Sequence, residues 1–104
     1  MECAQQGDIL WLEREEQYVL VLSREFFNQS GMSVVCPLGD NAGPDALHIR
    51  VSSDVYNGTA LLEHLRSLDL QVRHYRKISG ISYEQIQDIS DAVQGIFDYY
   101  PYSV

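Results

Sequence analysis

The chain has 104 residues, 45% of them hydrophobic, and a formal net charge of -8. That is enough for one domain with a real core, and no apolar run approaches the ~18 residues of a membrane span. The acidic balance argues against a general nucleic-acid binder, because contacts to phosphate need Lys and Arg.

The start of the chain has no basic region followed by an apolar stretch, so no signal peptide is expected. Cys3 and Cys36 are the only cysteines, and a buried, reduced Cys36 fits a cytoplasmic protein. Gly7 and Asp8 open a first strand at residues 9–12. Along it Trp11, the only tryptophan, alternates with Leu10 and Leu12 across the two faces. Residues 13–16 are Glu-Arg-Glu-Glu, a charged hairpin connection with a type I-like turn. The second strand covers 17–23 and the third 32–38. Their runs from Tyr18 to Leu22 and from Met32 to Cys36 are continuously apolar, as in strands covered on both faces. They form the centre of a sheet.

Between these strands Ser23 is placed to cap a short helical turn, and Glu25 suits its dipole. Phe26 and Phe27 are expected to anchor the turn to the sheet. Asn28, Gln29 and Ser30 end it, and Gly31 is free to take a positive φ. Pro37 cannot donate to a ladder, so pairing should fail or bulge there. Residues 39–45 are a Gly-rich acidic loop. Residues 47–51 alternate Leu47, Ile49 and Val51 with His48 and Arg50, a half-exposed strand whose His48 is read as solvated. Residues 52–58 are a turn segment containing the strong turn dipeptide Asn57-Gly58.

Residues 59–68 fit two readings. Leu61, Leu62, Leu65 and Leu68 have helical spacing, and propensity favours a helix, whereas the flanking segments suit a strand. Residues 72–78 read as a charged edge strand or ribbon. Arg66, Arg73, Arg76 and Lys77 are four of the seven Lys and Arg residues, and His64 and His74 fall in the same stretch. An acidic chain can hold an anion there, although protective edge charges would look the same. The final element is a helix. Ser82 and Gln85 make a capping-box pattern, and Ile86, Ile89, Val93 and Ile96 form an apolar stripe widened by Ala92 and Phe97. The tail at 98–104 holds Tyr99, Tyr100 and Tyr102 around Pro101 and is expected to pack on the domain, the other reading being a partner. The chain is read as one domain, 1–104, with its core at 7–97. It carries no CxxC, no closely spaced His pair for zinc, no Gly-rich phosphate loop and no Ser-nucleophile elbow.

The order of features resembles the PemK/MazF toxins, relatives of Kid and CcdB. A Gly-Asp-Ile-Leu-Trp opening leads to Val-Leu-Val-Leu-Ser, then Phe-Phe-Asn, Gly31 and Val-Val-Cys-Pro. The stretch from Gly58 to Asp69 and a helix begun by Ser-Tyr-Glu-Gln follow. The resemblance runs from about Gly7 to Phe97. It implies a mainly β fold with a C-terminal α-helix, a compact barrel-like twisted antiparallel sheet in which residues 59–68 are a strand. It also implies a homodimer, a toxin of a type II toxin–antitoxin module, and an antitoxin protein whose disordered tail wraps it. Most members cut single-stranded RNA without a metal, and no cofactor is implied.

Such cleavage needs a base for the ribose 2′-hydroxyl, a donor for the phosphate and an acid for the leaving oxygen. Where MazF-type members carry an Arg before the second strand, this sequence reads Gln17-Tyr18. Where a hydroxyl residue follows the Cys-Pro strand, it reads Leu38-Gly39-Asp40. Where Kid-type members place an Arg two residues before an Asp, it reads Leu61 and Glu63. The resemblance thus keeps only the carboxylate, Glu63, as a base or positioner. Read from the residues themselves, His64, a side chain suited to shuttling protons, and Arg66 are the other catalytic candidates, sharing a face if the segment is a strand. Arg66, Arg73, His74, Arg76 and Lys77 are the candidates to grip RNA phosphates. The alternative is a catalytically degenerate member acting as a protein-binding module, a CcdB-like target binder.

Overall fold

The computed structural model describes residues 3–40 and 45–98. β1 (Asp8–Leu12) and β2 (Gln17–Val21) form an antiparallel hairpin with Leu10 opposite Val19 and Trp11 opposite Tyr18. The connection at 13–16 has no glycine, and Glu16 takes φ 53. That left-handed conformation costs a side chain roughly 1–2 kcal/mol. Glu16→Gly is expected to raise stability by about 0.5–1 kcal/mol after glycine's own entropy loss, as an upward shift of the urea midpoint.

β3 (Met32–Gly39) is the hub. On one side it pairs with β2 at Val35, Cys36 and Pro37. On the other it pairs first with β6 (Arg66–Asp69) over Met32 to Val35, then with β5 (Asn57–Leu61) at Leu38 and Gly39. The neighbour changes across Cys36 and Pro37, where proline offers no N–H. The expected break is therefore a handover between two strands. β4 (His48–Ser52) pairs with β5, and β7 (Tyr75–Gly80) with β1. Among the described residues the order is β4-β5-β3-β2-β1-β7, with β6 also on β3. β7 is an edge, as its mixed charge implied.

The sheet curls into an antiparallel half-barrel with a core on each face. Leu10, Leu12, Val19, Val21 and Val35 meet Ala4, Leu68 and Leu70 on one side. Ile9, Leu20, Cys36, Leu38, Ala60 and Leu62 gather on the other. Burial of both faces is why β2 and β3 read as continuously apolar. The second face is covered by α2 (Tyr83–Phe97), whose Ile89 is buried in it. Ser82 caps this helix, its hydroxyl accepting from Gln85 N at 3.3 Å. Gln85 also clamps β4, accepting from Ser52 N at 2.8 Å and donating to Ser52 O at 2.9 Å. The apolar stripe stops short of its expected end, for Ile96 and Phe97 are exposed.

Other expectations are corrected. α1 (Glu25–Asn28) is capped from Arg24 without a side-chain bond, not from Ser23. Ser23 instead donates its hydroxyl to Asn28 and accepts from Val34 N. Phe26 and Phe27 do not anchor the turn: they are exposed, and Asn28 is the buried residue. Gly31 does take a positive φ, of 96°. Asn57 and Gly58 lie in β5, and the preceding turn closes through Ser53 N donating to Tyr56 O at 2.8 Å. The single strand implied for 59–68 is broken: β5 ends at Leu61, a 3-10 turn spans Leu62–His64, and β6 follows. β7 begins at Tyr75, which leaves Arg73 and His74 in the loop before it. Residues 41–44 of the acidic loop and the tyrosine tail at 99–104 lie outside the described residues. Among the described residues no helix is long and apolar enough to cross a membrane.

Candidate active site

Gln17, Leu38, Gly39 and Leu61, which stand where the family resemblance implies catalytic side chains, are neutral, and Asp40 after Gly39 is an exposed carboxylate. The Gln17 amide donates to Leu38 O at 3.1 Å and to Tyr18 O at 2.9 Å, so it ties backbone together. Leu61 fills the space above Gly39, its Cδ1 lying 3.4 Å from where a β-carbon on Gly39 would sit. Opposite Gly39 in the ladder stands Thr59. Its hydroxyl is buried and has no hydrogen-bond partner among the described residues.

At the far end of the same hairpin two titratable groups meet. His48 begins β4 opposite Leu61. The chain leaves β5 in the 3-10 turn, which swings Glu63 back over His48. Their Nε2 and Oε2 atoms are 2.5 Å apart. An ionised carboxylate only accepts, so His48 Nε2–H is the donor. This bond is the main cause holding the Glu63 carboxyl below its ordinary 4.5, and the neighbouring His64 adds to it. His48 is therefore not merely solvated. The sequence conceals the pair because the partners are 15 residues apart and strand alternation fails through a 3-10 turn. The available signal was the polar side of β4, where His48 and Arg50 alternate with Ile49 and Val51. Arg50 sits two residues beyond His48 on that side, exposed and opposite Thr59.

The other sequence candidates are dispersed. His64 follows Glu63 in the turn, exposed, with no hydrogen bond joining the two. Arg66 is exposed on β6 opposite Val35. Arg73 pairs with Glu15. Arg76 Nε lies 3.2 Å from Glu13 Oε1, and Lys77 Nζ 3.2 Å from Asp8 Oδ1. His74 is exposed, its carbonyl accepting from Glu13 N. Three of the five side chains expected to grip phosphate are thus neutralised by carboxylates around the β1–β2 hairpin. Cys36 offers no nucleophile, because burial pushes its thiol up to about 12.

A half-barrel hub strand, a C-terminal helix over one face and a polar site at the end of β4–β5 define the class. The family model for the PemK-like, MazF-like toxin of type II toxin-antitoxin system matches residues 5–97, and the chain belongs to this family. The fold is shared with a MazE-MazF structure from Deinococcus radiodurans, at a TM-score of 0.83 and 20% identity over 93% of this chain and 98% of that one. An endoribonuclease from Mycobacterial species superposes at 0.81 with 13% identity, covering 97% of this chain and 98% of that one. The Mycobacterium tuberculosis toxin MazF-mt6 follows at 0.71 with 15% identity, over 89% and 99%. No curated relative matches the chain.

Proposed function

We propose that this protein is the toxin of a type II toxin–antitoxin pair and cleaves single-stranded RNA without a metal, using Glu63, His48, His64 and Arg50. The observation that carries this reading is the 2.5 Å contact between His48 and Glu63, beside an exposed Arg50, in a chain that has lost the arginine positions its family resemblance implies. Glu63 takes the proton of the ribose 2′-hydroxyl as that oxygen attacks phosphorus. His48 holds the carboxylate ionised and oriented. Arg50 offers a planar two-pronged donor to the phosphate oxygens as charge builds on them. His64, as imidazolium, gives its proton to the departing 5′ oxygen, and solvent resets both groups. Arg66, exposed on β6 three residues after Glu63, is the cation for the next phosphate along the strand. Arg73, Arg76 and Lys77 reach phosphate only by releasing Glu15, Glu13 and Asp8.

The solved MazE-MazF structure supports an antitoxin partner for this chain too, and the family resemblance supports a homodimer. The test is cleavage of a mixed pool of single-stranded RNAs by the purified protein in EDTA. Cuts are expected, and Arg50→Ala should slow them by about 10²- to 10³-fold, the effect of removing one charge-stabilising donor. His64→Ala should slow them as well. Growth arrest on expression with no RNA cut would overturn this reading and point to action by protein binding.

A further inference from the structure

We propose that Trp11, Tyr18 and Tyr56, with Arg76 at the end of their row, form a stacking platform for unpaired nucleobases of a single-stranded RNA; this deepens the RNA-cleavage reading above and rests on it.

The row crosses three neighbouring parts of the sheet. Trp11 on β1 stands opposite Arg76 on β7 and opposite Tyr18 on β2. Directly opposed residues of antiparallel strands share a face. Tyr56 then continues the line from the turn before β5. The ring centroids are 4.6 Å apart for Trp11 and Tyr18, and 4.8 Å for Tyr18 and Tyr56, with tilts of 55° and 49°. All three rings are half-exposed. Tyr18 and Tyr56 rest on the second core, but Trp11 belongs to neither core. It packs on Tyr18 at the end of the face that α2 leaves open. Space for the row is built into the chain: a β-carbon on Gly58 would overlap the Tyr56 hydroxyl and ring.

A structural role explains Tyr18 and Tyr56 but not an indole placed outside both cores. Half-exposed rings offer π surface that any base can cover. The centroid spacing is too short for a base to enter between rings, so bases lie over the row. Arg76 completes the match. Its side chain is 64% exposed, and it meets a phosphate by exchanging the Glu13 carboxylate, 3.2 Å from its Nε, for the phosphate oxygens. One guanidinium at the end of a run of rings fits the alternation of phosphate and base along a single strand. The platform itself adds one phosphate contact, so its own share of the salt dependence is shallow, a slope of about -0.7 on a single strand.

The experiment titrates the protein with a short mixed-sequence RNA whose riboses all carry 2′-O-methyl groups, which blocks the attacking oxygen. Because Trp11 is the only tryptophan, its fluorescence reports the platform directly and is expected to be quenched at saturation. Anisotropy of a labelled strand should show Tyr18→Leu and Tyr56→Leu binding about 5- to 100-fold more weakly, with Tyr18→Phe close to wild type. Binding that leaves Trp11 fluorescence unchanged and is indifferent to the leucine variants overturns the platform and leaves the cleavage reading standing. Quenching by the blocked strand, with no cleavage of the unmodified RNA, supports the platform and overturns cleavage. Absence of binding by the wild-type protein overturns the platform.

Discussion

Glu63→Gln is expected to lower the rate of single-stranded RNA cleavage by about 10²- to 10⁴-fold, the usual size of a lost general base. The amide keeps the shape of the side chain, and its carbonyl oxygen still accepts from His48 Nε2, so the β4–β5 hairpin should hold. Only the capacity to take a proton is removed. His48→Ala should also slow cleavage, but by a separable route, since it leaves the carboxylate in place without its donor. The two differ in pH dependence. In the wild type the hydrogen bond from His48 lowers the Glu63 carboxyl beneath 4.5, so the ionised form persists until the pH drops below that value, and the acid limb of the rate lies there. Without His48 the acid limb moves up toward the ordinary carboxylate range. The same sign governs stability. A depressed carboxyl contributes above its unfolded value and loses that contribution as pH falls through the folded one.

The centre of the sheet and the last helix are legible in the sequence because apolar periodicity is a local property. Tyr18 to Leu22 and Met32 to Cys36 announce strands buried on both faces, and Ser82 with Gln85 announces a helix start. The resemblance picks out the family from the order of these elements. It also selects Glu63 as the retained carboxylate. What the sequence hides is the partner. His64 is next to Glu63 along the chain, while His48 reaches it across the hairpin only because a 3-10 turn interrupts the strand. The basic stretch misleads in a similar way. Arg73, Arg76 and Lys77 look like a cluster, but β7 pairs with β1, and the strand and the loop before it deliver them to Glu15, Glu13 and Asp8. Polar function depends on which side chains meet in space, and periodicity carries little of that. α1 is the plainest case. Two adjacent phenylalanines suggest an apolar anchor, yet the buried residue is the asparagine after them.

Asn28→Ala is expected to cost about 3–5 kcal/mol and to lower the melting temperature by roughly 15–30 °C. Asn28 is 2% exposed and joins three segments. Its Nδ2 donates to Ala4 O at 2.8 Å and to Ser23 O at 3.0 Å. Its Oδ1 accepts from Ser23 Oγ at 2.5 Å and from Ser33 Oγ at 2.9 Å. Truncation takes the partner from two carbonyls and two hydroxyls, of which the Ser33 hydroxyl is buried and those of Ser23 are part-buried, and each group left unsatisfied costs about 1–3 kcal/mol. Phe26→Ala should change stability by no more than about 0.5 kcal/mol. That ring is 73% exposed, with the Arg24 guanidinium over it, 5.7 Å from its centre. Asn28→Asp separates hydrogen bonding from volume, because the two side chains have the same shape. A carboxylate would turn acceptors toward the carbonyls of Ala4 and Ser23, so at neutral pH this variant should be at least as unstable as the alanine. Burial raises the pKa of such a carboxyl, and once protonated it can donate to one of the two carbonyls. Relative to wild type, Asn28→Asp should therefore regain stability as the pH falls. A deficit that stays constant across that range in urea unfolding would show that the alanine acts through lost packing rather than through stranded polar groups.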